Sequence, residues 1–312
     1  MLFVILGHII DTCGGGATNI LIREFLFSLD MPLFIFISGY FTKRKDYKSF
    51  WRSLLPIVLA LLIFQFLSYL FLSVVQGKQY GFLYWITPYW TLWYLLSLIF
   101  WKIMLEYSPK FLIEKPCLFL TLAIIVSFFC GLMPNGEFLS IQRTLNFFPF
   151  FLFGYFMKQE TINRKPWPNI YMSGLIILMV VMLIVSLGPD NYQKAKLLLR
   201  GANQYSIIDI PLKSFYLICS FILALAVFII VPENKFLTYI GKDSMLYFLY
   251  HGLIIKLLLQ PFVRNNHLPS TLPWIIGYWA LVVGVIFLIG KIKPLRWLTN
   301  PLPTKKSSVA GK

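Results

Sequence analysis

The chain has 312 residues, of which 58% are hydrophobic, 18% aromatic and only 13% charged, whereas a soluble domain carries about 25% charged residues. A water-soluble globular protein is therefore excluded, and a bilayer is the solvent such a chain fits. The formal charge of +16, from 28 basic and 12 acidic residues, does not point to a nucleic-acid partner, because the cations sit in short loops between apolar runs, as topology signals do.

The uncharged runs are long enough to be helical spans and lack the alternation of barrel strands. Met1 to Ile10 is the first apolar run, and with Cys13 before the "GGG" turn it is still too short to cross a bilayer. It has no basic leader or small-residue cleavage site, so a signal peptide is a poor reading. Either this helix is re-entrant or it lacks roughly ten residues at its start, and the truncated first helix is the expectation. His8 and Asp11 lie on it at a helical i, i+3 spacing, which lets a carboxylate orient an imidazole. The following "CGGGATN" has no P-loop lysine and follows a helix, so it is not a phosphate cradle.

Phe25 to Thr42 is the second run and carries Asp30 and Ser38. It leads into the basic stretch "KRKDYKSFWR", in which Arg44, Lys48 and Arg52 are where a polyanionic cytosolic ligand would first be met. Two uncharged spans follow, Ser53 to Gly77 and Gln79 to Trp101. The second contains "YWITPYWTLWYLL", which reads either as an interfacial aromatic belt or as a stacking platform for a sugar. Pro116 to Gly136 is another clean span, and Leu139 to Met157 then carries Arg143 and Asn146.

The clean spans Pro166 to Pro189 and Ser214 to Pro232 come next. Leu237 to Phe262 has a helix-start signal in "GKDSM", with Asp243 or Ser244 as the cap, and puts Ser244, Tyr247 and His251 on one face at spacings of four and seven. Asn265 to Gly290 is the last span, and residues 299–312 read as a disordered cytoplasmic tail.

The expected architecture is all-α: one polytopic transmembrane bundle of about ten helices over residues 1–298. If the first helix runs outward, 19 of the 28 Lys and Arg fall in loops on the inner side, so both termini are expected in the cytoplasm. Ionisable groups inside a bilayer cost about 2.5 to 3.5 kcal/mol at a helix centre and usually mark a site. The four interrupted helices carry nearly all of them and are expected to enclose one cavity. The four cysteines show no CxxC or metal spacing, and no metal site is expected.

In order and spacing, "VILGH", "LDMPLFIFISGYF", "YWTLWYLLSLIFW", "RTLNFFPFFLFGYF" and "YIGKDSMLYFLYHG" resemble the acyltransferase 3 family of integral-membrane O-acyltransferases, in its fucose 4-O-acetylase-like branch. The resemblance implies a ten-helix enzyme, in a bacterial plasma membrane, that takes acetyl from cytosolic acetyl-CoA to a hydroxyl of an exported polysaccharide or its lipid-linked precursor. It implies that His8 matches the family's first-helix histidine. Relatives place a basic residue eleven positions earlier, often have His where this chain has Asp30, and show Arg-x-x-Arg where only Arg52 matches and Ser49 takes the other place.

The chemistry expected is direct acyl transfer, since no GxSxG elbow is present. His8 is the general base, oriented by Asp11 or Asp30, while Arg143, Ser244, Tyr247 and His251 are candidates for oxyanion or acceptor contacts. Arg52, with Lys48 and Arg44, would hold the acetyl-CoA phosphates. The competing readings are a transporter or flippase, for which ten helices with buried ionisable groups are also expected, and an inactive relative serving in an assembly.

Overall fold

A computed structural model of the chain describes residues 1–14, 17–77, 81, 83–133, 138–157, 170–186, 206–231 and 234–302. Gly15 and Gly16, the loops at 158–169 and 187–205, and most of the tail expected at 299–312 lie outside the described residues. The chain is a helical bundle, with no strand among the described residues.

The elements in order are α1 (Leu2–Cys13), α2 (Ala17–Tyr40), α3 (Tyr47–Gln76), the short α4 (Leu83–Ile86), α5 (Trp93–Glu106), the short α6 (Lys110–Glu114), α7 (Pro116–Phe129) and α8 (Ile141–Phe156). They continue with α9 (Ile170–Ser186), α10 (Ile210–Ile230), α11 (Lys235–Lys242), α12 (Ser244–Leu253), α13 (Gln260–Asn265), α14 (Leu272–Ile289) and α15 (Lys293–Leu298). Among the described residues, four segments are long and apolar enough to cross a bilayer: Tyr47–Val74, Ile207–Ile230, Ser244–Asn265 and Leu272–Ile289.

Local chemistry sets several boundaries. Asp46 caps α3 by accepting from the Ser49 amide at 3.0 Å, and bonds from the Ser49 hydroxyl and amide hold its carboxyl below the usual carboxylate range. α3 ends at Gly77, whose φ of 63° needs a residue without Cβ. The expected single span from Gln79 to Trp101 is broken. Pro88 pushes its predecessor out of helical geometry, and the chain turns through Tyr89–Leu92 before α5 starts at Trp93 and runs on to Glu106.

Leu237 to Phe262 is also divided. α11 ends before Asp243, and α12 continues into a π-helical stretch, Ile254–Leu259, and then α13. Asp243 stands at the start of α12 but makes no side-chain cap; its Oδ1 accepts from Arg296 Nη2 at 2.5 Å instead. Lys213, which directly precedes the uncharged run Ser214 to Pro232, is wholly buried in the first turn of α10, where Nζ donates to the Ser127 carbonyl at the end of α7. Pro211 sits at the helix start, where its missing N–H costs nothing, and so lets the helix take in the lysine.

The clean and interrupted helices occupy different places. Only 22% of the Leu272–Ile289 span and 28% of the Tyr47–Val74 span is buried, against 67% of Ser244–Asn265. Leu62, Phe66, Leu281 and Leu288 face outward and suit a lipid surface. Inside, α2 crosses α8 at two glycines. A Cβ on Gly39 would collide with the Phe151 carbonyl, and one on Gly154 with the Phe36 carbonyl. This reciprocal backbone contact fixes α2 against α8, the two helices that bring Asp30 and Arg143 to the interior.

Candidate functional site

A cavity of about 310 Å³ lies among α1, α2, α8 and the turn before α5. His8, Asp11, Asp30 and Arg143 all line it, so three separate interrupted helices contribute to one space. Ser28, Thr91, Trp90 and Trp93 complete the working part of its wall. The sequence left the tryptophans open between belt and platform; the break at Pro88 turns both into the cavity.

His8 is set in a ring of flat side chains. Its centroid is 4.7 Å from Trp90, 5.7 Å from Phe27 and 5.4 Å from His251, the last nearly parallel at 25°. Trp90 holds this place with a φ of 42°, and Ser140 on the same cavity has a φ of 54°. Such backbone is costly for residues with a Cβ and gathers at sites that need a fixed side chain. Trp90 also has the Lys256 ammonium 5.7 Å from its ring centre, and Trp93 has the Arg143 guanidinium at 5.3 Å. Both tryptophans are thus braced by cations.

The carboxylates take different partners. Asp11 Oδ1 accepts from Arg23 Nη1 at 3.3 Å, a pair that is largely but not wholly buried. Asp30 is buried, its Oδ1 accepts from the Met31 amide at 2.5 Å, and its Oδ2 lies 3.5 Å from where a Gly7 Cβ would be. Gly7 directly precedes His8, and a Cβ there would sit tight only against Phe27 Cε1, at 3.3 Å, so Asp30 Oδ2 lies in ordinary contact range of the residue next to the base.

His251 stands behind His8 and does not line the cavity. Its Nδ1 is 3.0 Å from the Tyr247 carbonyl, one turn back along α12. Tyr247 is buried and meets the site through that carbonyl, while Ser244 is two turns from His251, about 10 Å along the helix. Neither Ser244 nor Tyr247 lines the cavity.

The basic residues expected at the donor end divide. Lys48 and Arg52 line a shallow hollow of about 700 Å³ with Tyr47 and Trp51, and it extends to Ile99. Arg44 instead donates to the Glu106 backbone carbonyl at 2.7 Å, with the Glu106 carboxylate 4.0 Å away. Trp93 and Glu106 are the two ends of α5, about 20 Å apart. The cavity and the Arg44 end of the basic stretch therefore belong to opposite ends of that helix. Among the described residues, no three His, Cys, Asp or Glu side chains gather as metal ligands would.

A family model described as Acyl_transf_3, an acyltransferase domain, matches residues 1–290. No curated protein and no solved structure matches the chain.

Proposed function

Because the chain belongs to the acyltransferase 3 family and is a membrane acyltransferase, we propose that it transfers acetyl from acetyl-CoA to a sugar hydroxyl, with His8 as general base. The observation that carries this reading is the position of His8 on the wall of a cavity that Trp90 and Trp93 also line, with Trp90 4.7 Å from the imidazole. Ligand sites span about 300 to 1,000 Å³, so 310 Å³ suits one sugar unit rather than a lipid tail. Flat indole faces suit the C–H face of a sugar ring, and Ser28, Thr91, Asp11 and Arg143 supply polar contacts for its hydroxyls.

In the reaction, His8 takes the hydroxyl proton as the oxygen attacks the thioester carbonyl. The Arg143 guanidinium stabilises the oxyanion, and Asp30 stabilises the imidazolium that forms. Collapse expels the coenzyme A thiolate. Lys48 and Arg52 hold the donor's phosphates as separate cations, and the positive-inside pattern puts their hollow on the cytoplasmic side. The acceptor enters from the opposite face, which suits a glycan being exported or its lipid-linked precursor at the surface of a bacterial cell.

The test uses purified protein in lipid nanodiscs with acetyl-labelled acetyl-CoA and a methyl hexoside as acceptor probe. The wild type should release coenzyme A and label the hexoside, whereas His8→Ala, still folded, should do neither. Activity of that variant at the wild-type level would remove His8 from the mechanism. A wild-type protein that ignores acetyl-CoA would point back to a carrier.

A further inference from the structure

His251 is wholly buried and its Nε2 has no hydrogen-bond partner among the described residues. A carbonyl can only accept, so the bond to Tyr247 fixes the hydrogen on Nδ1 and leaves the lone pair on Nε2. An apolar side chain would fill this place without stranding a polar atom, which makes a buried imidazole with one idle nitrogen a candidate for chemistry.

Its place relative to His8 says which chemistry. His8 lines the acceptor cavity; His251 is stacked behind it, off the cavity. Further along the same helical run, Gln260 reaches the Thr12 carbonyl at 3.4 Å, beside Asp11 on the cavity wall. Tyr247, earlier in α12, therefore lies on the far side. The neighbouring Phe248 packs on Tyr94 at 5.0 Å, and the Tyr94 hydroxyl shares a 2.6 Å hydrogen bond with Ser38. Ser38 is near the end of α2 that leads to Arg44 and the basic stretch. His251 thus stands between the acceptor base and the end from which a thioester would arrive.

Resting on the acetyl-transfer reading above, we infer that His251 is the donor-side proton carrier of the reaction. The acceptor O–H bond breaks and its proton goes to His8, while the oxygen forms the new C–O bond to the acetyl carbon. The C–S bond breaks with its electron pair left on sulfur. The proton then passes from His8 to His251 Nε2, directly or through one water, and from there to the thiolate. Both imidazoles end neutral, and the products are the acetyl ester and the free thiol.

A carrier that serves the leaving sulfur matters only when the sulfur needs a proton. The experiment compares acetyl-CoA, whose alkyl thiolate is basic, with S-(4-nitrophenyl) thioacetate, whose aryl thiolate leaves unaided, using methyl glucoside as acceptor. His251→Asn keeps a donor for the Tyr247 carbonyl and removes Nε2; His251→Gln is a second variant. The expected loss of kcat is about 100-fold with acetyl-CoA and a few-fold at most with the aryl donor. His8→Gln loses activity with both. The ratio of the two donors within one preparation cancels any loss of folded protein. Equal losses with both donors, or none with acetyl-CoA, would overturn the assignment. A wild type that transfers from neither donor instead overturns the acetyl-transfer reading, and the assignment with it.

Discussion

Replacing Gly39 by alanine tests whether the α2–α8 crossing holds the site together. The new Cβ would fall more than about 1 Å inside the 3.0 Å that real Cβ atoms keep from a neighbour, and the atom it meets is the backbone oxygen of Phe151, which no rotamer change can move. The helices must part by roughly that amount, at a cost of about 1 to 3 kcal/mol for overpacking. Gly154→Ala meets the Phe36 carbonyl in the same way. α2 carries Asp30 and α8 carries Arg143, both on the cavity wall, and a misplacement of about 1 Å between reacting groups costs on the order of 100-fold in rate. Each variant should therefore unfold at lower temperature in nanodiscs and lose about 10- to 100-fold in acyl transfer.

The double variant sharpens the test. Once one Cβ has opened the crossing, the second enters space already made, so the combined loss of stability should fall short of the sum by about 0.5 kcal/mol or more. Gly277→Ala and Gly284→Ala on α14, where nothing lies within 4 Å of an added Cβ, are the controls. They should be neutral, or stabilise by up to about 1 kcal/mol through helix propensity. Unchanged melting and activity in Gly39→Ala and Gly154→Ala would refute the idea that this contact sets the cavity.

Two further outcomes follow from the geometry. Lys48→Gln and Arg52→Gln, on the shared hollow, should each raise KM for acetyl-CoA about tenfold with kcat held, an effect that shrinks at high salt; steady-state kinetics at two ionic strengths reads it. Trp90→Ala removes the ring that stands 4.7 Å from His8 and 5.7 Å from Lys256, and it should lower kcat/KM for the sugar acceptor while leaving coenzyme A release to water within a few-fold. Loss of both in equal measure would mean that Trp90 holds the fold and not the acceptor.

Much of the bundle was legible because a bilayer imposes simple rules. Apolar length predicts helices, and the cost of burying ionisable groups predicts that interrupted helices gather inside, as the contrast between Ser244–Asn265 and Leu272–Ile289 bears out. Hydropathy could not find the turn at Tyr89–Leu92, because Trp, Tyr and Leu read as span whether or not they are helical; Pro88 was the signal that a break was due. Nor could it see that Lys213 is buried, since a lysine near an apolar run looks the same snorkelling to water or bonded to the Ser127 carbonyl. The close crossing was written twice, in "FISGYF" and "FLFGYF", each with one glycine among bulky residues. A single small residue becomes readable only when its counterpart on the other helix is known.

The site divides along the same line. His8, Asp11, Asp30 and Arg143 could be chosen because each is expensive where it stands, and cost depends on composition alone. Ser244 and Tyr247 were chosen for sharing a helical face with His251, and periodicity fixes a face but not how far along it the cavity extends. His251 is the instructive case. Its face was readable, yet its bond to Tyr247 looks, from sequence, like that of any packing histidine. What separates it from one is the second nitrogen, without a partner among the described residues, on a ring whose centroid is 5.4 Å from that of His8. A bilayer interior penalises an idle polar atom more than an apolar replacement, so its presence there is explained by a proton that needs somewhere to go.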